Sequence, residues 1–333
     1  MGADKANRDD ICCEVSHLDT FTYESSTYHY QRWGKVENPP LLLLHGFMQS
    51  CSSWHAVADM LKAKYCVYAL DFIGHGQSEK SSNSARYTYE DMAQSVDYFI
   101  RNICIPAWCD ANENEPTRFQ PLVHVIGYSM GGRIALQLLK TSSDVLASAI
   151  LESCNVGCAT EKDRQEAAQR NQSWIDRLQT DGMEAFVNYW ETLSLFDTQR
   201  ELGWDKRLHA SRAANDAPCM ARCLAGSGKQ AMPLSGETLE VVKQVTGGAQ
   251  NIETGILPSA QNTEMPASLF VQNTKSALPI LYIYGAKDAK SCAVAQQLES
   301  VGASVSVINA GHNVHLEAPM LYLEEVQKFL AHR

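Results

Sequence analysis

The chain has 333 residues, 45% of them hydrophobic, which suits one large globular domain with a subdomain inserted in it and excludes disorder throughout. Lys and Arg number 28 against 38 Asp and Glu, a formal charge of -10, so the surface as a whole repels nucleic acid and anionic membrane, and neither is expected as a partner. The longest apolar run, residues 39–47, is of strand length and far short of the roughly 18 residues of a membrane span.

The N-terminus is charged and lacks the apolar stretch of a secretory signal, so residues 1–16 read as a polar tail of a chain that acts inside the cell, in a compartment the sequence leaves open. Gly2 suits N-myristoylation, but Ala6 stands where that motif has Ser or Thr. Residues 18–21 and 27–33 alternate around Glu-Ser-Ser and predict an antiparallel hairpin. From there strand-length apolar runs at 41–44, 65–70, 122–126, 147–151, 280–284 and 305–308 alternate with helical patterns at 53–63, 89–102, 131–140, 289–298 and 318–330. That grammar predicts an α/β fold, a mostly parallel central sheet with helices on both faces. Between 161 and 224 the strand signals stop and consecutive helices follow. Residues 227–274, rich in Gly, Ser, Gln, Asn and Thr, read as loop apart from Val241, Val242 and Val245, and 110–120 as a solvated linker. The expected division is therefore a core of 17–158 and 275–333 and a helical cap of 159–274 with a loop-rich insert.

Eleven cysteines are scattered through the chain, and the pairs Cys154/Cys158 and Cys219/Cys223 lack histidines at zinc-site spacing. Reduced, mostly buried thiols are expected, with neither a metal nor a cofactor.

Chemistry concentrates in four places. Gly127-Tyr128-Ser129-Met130-Gly131 follows a strand and precedes a helix, the context in which Gly-x-Ser-x-Gly makes a nucleophile elbow. A serine needs a histidine to take its proton and a carboxylate to orient that histidine. Asp288 and His312 each follow a strand, in the expected order, with Glu152 as the alternative acid and His45, His75, His124 and His315 as the rival histidines. The turn Leu44-His45-Gly46-Phe47 places the Phe47 N–H to join that of Met130 as an oxyanion hole. Residues 71–78, Asp-Phe-Ile-Gly-His-Gly-Gln-Ser, read as a structural turn.

Taken in order, His-Gly-Phe, Asp-x-x-Gly-His-Gly-x-Ser, Gly-Tyr-Ser-Met-Gly-Gly-Arg and Ala-Gly-His-Asn-Val-His-Leu-Glu resemble the α/β-hydrolase superfamily from about residue 25 onward. Within it, the Gly-Tyr-Ser-Met-Gly-Gly-Arg and Gly-His-Asn-Val-His-Leu-Glu segments, with the early cap segment of Glu and Arg residues that runs into Ser173-Trp174, are similar to the MenH family of 2-succinyl-6-hydroxy-2,4-cyclohexadiene-1-carboxylate synthases, which serve menaquinone and phylloquinone biosynthesis. The resemblance implies a lyase: Ser129, relayed to His312 and Asp288, removes a proton from a succinyl-enolpyruvyl cyclohexene carboxylate, and pyruvate leaves. It also implies a small polycarboxylate ligand held by Arg133, Arg212, Trp190 and Tyr128, and other enzymes of the same pathway as candidate protein partners. The family's second cap arginine falls near Ala167, leaving Arg164 and Arg170 as nearby cations, and Cys154–Cys158 replaces a Pro-Gly turn. The alternative is a serine hydrolase, a carboxylesterase or carbon-carbon bond hydrolase, with the same triad and a more apolar pocket.

Overall fold

The computed structural model describes residues 18–113, 121–247 and 277–331. The N-terminal tail with Cys12 and Cys13, the middle of the 110–120 linker and the 248–274 part of the insert lie outside the described residues.

β1 (Leu18–Tyr23) and β2 (Ser26–Trp33) form the expected hairpin. Glu24 and Ser25 between them have φ of 47° and 65°, the double left-handed turn whose twist matches that of the strands. β2 pairs antiparallel with β4 (Cys66–Leu70). Beyond it β3 (Pro40–Leu44), β5 (Val123–Tyr128), β6 (Leu146–Glu152), β7 (Ile280–Gly285) and β8 (Ser304–Ile308) add in parallel, giving one eight-stranded sheet of order β1-β2-β4-β3-β5-β6-β7-β8. Every residue of β3, β4 and β5 is buried, as a strand covered on both faces requires.

Strand alternation divides the core in two. Leu42 and Leu44 of β3 join the apolar residues of α2 (Tyr89–Phe99), α4 (Met130–Thr141) and α11 (Ala289–Glu299) on one face. Leu41 and Leu43 point the other way, to α1 (His55–Leu61) and α13 (Pro319–Leu330). The helical run read as 89–102 continues instead through a wide π turn at Ile100–Cys104 into α3 (Ile105–Ala111), so the linker begins later than expected. Pro106 stands two residues past the end of that π turn, inside the continuing helix, where its missing N–H interrupts the regular bonding. The last helix is split: α12 (Val314–Glu317) ends before Pro319, whose ring pushes Ala318 out of the helical region to φ -142°.

Between β6 and β7 lie α5 (Glu161–Thr180), α6 (Gly182–Trp190), α7 (Asp197–Glu201), α8 (Trp204–Ala213), α9 (Ala217–Ser227) and α10 (Ser235–Val245). A capping box starts α5: the Thr160 hydroxyl accepts the Asp163 N–H while Asp163 accepts the Thr160 N–H. The loop reading of 227–274 fails over Ser235–Val245, which is an 11-residue helix burying Val242. Its polar composition concealed a narrow apolar stripe. Among the described residues, no helix is long and apolar enough to cross a membrane.

Candidate active site

β5 leads directly into α4, and Ser129 sits at the corner with φ 49° and ψ -103°, a conformation that costs about 1–3 kcal/mol for a residue with a side chain. Two things hold it there. Its N–H donates to the Glu152 carbonyl at 2.8 Å, and the glycines on either side admit neighbouring backbone. A Cβ on Gly131 would lie 2.2 Å from the Leu44 carbonyl oxygen, and one on Gly127 would lie 2.5 Å from that of Gly131. The elbow therefore presses against the end of β3 and aims the serine hydroxyl outward.

The three sequence-predicted chemical groups meet there. The Ser129 hydroxyl lies 3.2 Å from His312 Nε2, and His312 Nδ1 lies 2.7 Å from Asp288 Oδ2. Asp288 also accepts the Ser291 hydroxyl at 2.7 Å and the Ser291 N–H at 3.3 Å. Burial pushes the Asp288 carboxyl up, but the hydrogen bond and charge of His312, with those two Ser291 bonds, outweigh it and hold it at about 2. Asp288 is thus ionised at any working pH and able to fix the imidazole tautomer. The His312 loop is braced by Glu317, whose two oxygens accept the Gly311 N–H at 2.6 Å and the Asn313 N–H at 3.2 Å.

Glu152, the alternative acid, is engaged elsewhere. It lies 2.8 Å from His315 Nδ1 and accepts the His315 N–H at 3.1 Å, in a fully buried pair beneath the stacked Trp54 ring. Of the rival histidines, His45 Nδ1 meets the Gly46 carbonyl, His75 Nδ1 the Ile73 carbonyl and His124 Nδ1 the Ser148 hydroxyl, so His312 alone of this group faces the serine. The turn at 71–78 is knotted by Asp71, which accepts the N–H groups of Cys51 and Gln77 and faces His29 at 2.7 Å. His29, Cys51 and Asp71 gather closely enough for a metal, but those backbone donors already occupy both carboxylate oxygens.

Ser129 opens into a cavity of about 750 Å³ between the carboxyl ends of the strands and the helices after β6. Phe47 and Met130 line it beside Ser129. Phe47 sits in a β-turn closed by the Gln49 N–H on the Gly46 carbonyl, with Met48 at φ 58°. Met130 opens α4, so its N–H lacks an intrahelical acceptor. Trp190 also lines the cavity, packed against Phe47, Trp174 and Phe196 at centroid distances of 5.4, 5.1 and 5.6 Å. Tyr128 forms part of the wall with its ring 5.5 Å from His312. Cys154 and Cys223 reach the cavity too, yet burial pushes their thiols up to about 12 and about 11, which leaves them protonated at neutral pH and unfit as nucleophiles.

The cations are the less obvious part. Arg133 stands one turn after Ser129 on α4, over the Tyr89 ring at 5.6 Å, and among the described residues no carboxylate pairs with it. Arg212, 4% exposed, reaches the cavity from α8. Of the two arginines near Ala167, Arg170 lines the cavity and Arg164 is turned to the Met232 carbonyl and Glu161. Lys229 and Lys290, which no motif singled out, also line it. The end of α8 is tied to the core, where Asn215 Nδ2 donates to the Met48 carbonyl at 3.2 Å.

Residues 39–319 match the family described as alpha/beta hydrolase fold. The chain is 28% identical over 306 residues to a Bacillus subtilis protein provisionally named 2-succinyl-6-hydroxy-2,4-cyclohexadiene-1-carboxylate synthase, covering 89% of this chain and 92% of the relative. It is 26% identical to the Enterobacter sp. strain 638 protein bearing that name, covering 86% and 90%. Among solved structures, MenH from S. aureus superposes with a TM-score of 0.71 at 21% identity over 91% of this chain and 98% of that one. An enol-lactonase from Burkholderia xenovorans LB400 superposes with a TM-score of 0.67 at 16% identity, covering 94% and 100%. The resemblance to MenH synthases carried by the elbow, the early cap segment and the His312 segment is matched by these relatives, and the fold, the sheet order and the family match agree: the chain belongs to the alpha/beta hydrolase fold family.

Proposed function

We propose that this enzyme is a carbon-oxygen lyase that eliminates pyruvate from a succinyl-enolpyruvyl-hydroxycyclohexene carboxylate, forming 2-succinyl-6-hydroxy-2,4-cyclohexadiene-1-carboxylate, the compound for whose synthesis its relatives are named. The observation that carries the reading is the charge of the cavity. In a chain of net charge -10, five cationic side chains line it, Arg133, Arg170, Arg212, Lys229 and Lys290, against two carboxylates, Asp163 and Asp288, and Asp288 is committed to His312. A cavity for an uncharged ester has no use for that excess, whereas a polycarboxylate does.

In this reading Ser129, its proton drawn toward His312 Nε2, takes the proton on the carbon next to the succinyl carbonyl. The freed electron pair moves onto the carbonyl oxygen, where the N–H groups of Phe47 and Met130 hold the developing oxyanion. The pair then returns to form the ring double bond as the carbon-oxygen bond to the enolpyruvyl group breaks, and the departing enolate is protonated to pyruvate. Arg133 and Arg212 fix the substrate carboxylates, while Trp190 and Tyr128 pack against its ring. The serine hydrolase alternative uses the same triad, with Ser129 as nucleophile, and finds support in the apolar wall of Phe47, Trp190, Leu195 and Phe196. Supplying the cyclohexene substrate and following pyruvate, beside a p-nitrophenyl ester, separates the two. Pyruvate release abolished in Ser129→Ala supports the lyase; ester cleavage without pyruvate supports the hydrolase and ends the lyase reading.

A further inference from the structure

Arg212 is not a free cation. Its Nη1 donates to Glu191 Oε1 at 2.8 Å and its Nη2 to Gln199 Oε1 at 2.8 Å, with the Phe196 ring 5.4 Å from the guanidinium carbon. Phe196 and Arg212 line the cavity; Glu191 and Gln199 are absent from its wall. Both hydrogen-bonding partners therefore approach the guanidinium from behind, and a guanidinium carries five N–H groups. The donors left over are the ones that can meet a carboxylate entering from the cavity.

Glu191 is itself held. Its second oxygen, Oε2, lies 2.9 Å from His209 Nδ1, and His209 Nε2 lies 2.9 Å from Glu184 Oε1. His209 and Arg212 are three residues apart on α8, on one face, so a single carboxylate at the end of α6 grips two successive positions of the facing helix. The bonds to Glu191 and Glu184 raise the His209 pKa, which favours the charged imidazolium between them. With the His209 ring sharing the Glu191 carboxylate, only one of its two oxygens is given to Arg212. Side-chain exposure runs from 4% at Arg212 and 12% at Glu191 to 28% at His209 and 68% at Glu184, so the chain of charges runs from the cavity wall to solvent.

We infer that Glu191 is a positioning residue: from outside the cavity, anchored by His209, it aims the Arg212 guanidinium at the substrate carboxylate. This rests on the polycarboxylate reading above. The test is Glu191→Ala in the full chain, crystallised and assayed for pyruvate release, with Glu191→Gln beside it. The expected result is an Arg212 side chain turned away from the cavity in the alanine variant, a KM raised about tenfold and a kcat within about twofold of the parent. Glu191→Gln keeps an acceptor for Nη1 and recovers most of the lost KM. Arg212 unmoved in Glu191→Ala crystals, or a loss confined to kcat, overturns the inference. If the parent enzyme releases no pyruvate, the lyase reading falls by itself, and the position of Arg212 in the crystals still decides what Glu191 does.

Discussion

The two halves of the cavity are built in opposite ways. On the core side, Ser129, Asp288 and His312 stand at carboxyl ends of strands, and each is held through backbone groups: the Glu152 carbonyl takes the Ser129 N–H, the Ser291 N–H joins its hydroxyl on Asp288, and the Glu317 carboxylate grips the N–H groups on either side of His312. On the helical side, Arg212 is held by side chains alone, Glu191, Gln199 and Phe196, all from the helical run between β6 and β7. In the proposed reading, chemistry is placed on the part of the fold that cannot move without breaking the sheet, and recognition on the part that can be re-tuned by single substitutions. In an α/β fold this division allows one triad to serve many substrates.

The comparison breaks most directly at Ser129. Ser129→Ala should lower kcat for pyruvate release by about 10,000-fold with KM little changed, because a group that acts only in the transition state adds nothing to ground-state binding. Single-turnover assays read this, and a modest loss of kcat would place the proton transfer elsewhere. Asp288→Asn should cost about 1000-fold through the wrong imidazole tautomer. It also has a stability signature with a definite sign. A carboxyl held at about 2 when folded and near about 4 when unfolded stabilises the protein fully above about pH 4 and loses that contribution as pH falls toward 2. The melting-temperature gap between the parent and the Asp288→Asn variant should therefore close on acidification.

On the recognition side the effects are smaller and fall on a different constant. Arg133→Ala should cut kcat/KM by about 30-fold, mainly through KM, as expected for loss of one charge-assisted contact. A kcat loss as deep as that of Ser129→Ala would erase the distinction between the two sides. Smallest of all, raising ionic strength from about 0.05 M to about 0.5 M should lower kcat/KM by about fivefold, since an anionic substrate is drawn to the cavity cations through solvent. The same salt series on a neutral p-nitrophenyl ester should be flat.

The same division explains what could be read from the amino-acid sequence. The sheet was legible because a strand buried on both faces must be a continuous apolar run, as at Leu41–Leu44, and the elbow was legible because the corner at Ser129 demands glycine at 127 and 131. Local geometry dictates local sequence there. The Glu191–Arg212 pair spans 21 positions with no spacing rule to announce it, and Lys229 and Lys290 look like any solvated lysine until the helices bring them to one wall. Helix α10 was hidden for a related reason: Ser235–Val245 buries little more than Val242, Ser235 and Thr238, so tertiary contact rather than a strong apolar period holds it. Glu152 illustrates the reverse error of too much choice. It follows a strand as a triad acid does, but the His315 ring engages both its oxygens and leaves His312 to Asp288.

The bond from Asn215 to the Met48 carbonyl joins these two sides through a single peptide. Arg212 and Asn215 are linked along the backbone, the Asn215 N–H donating to the Arg212 carbonyl at 3.2 Å, and Met48 directly follows Phe47. The end of α8 that carries Arg212 and the turn that carries Phe47 thus share one hydrogen bond, and a displacement of either removes a support of the other.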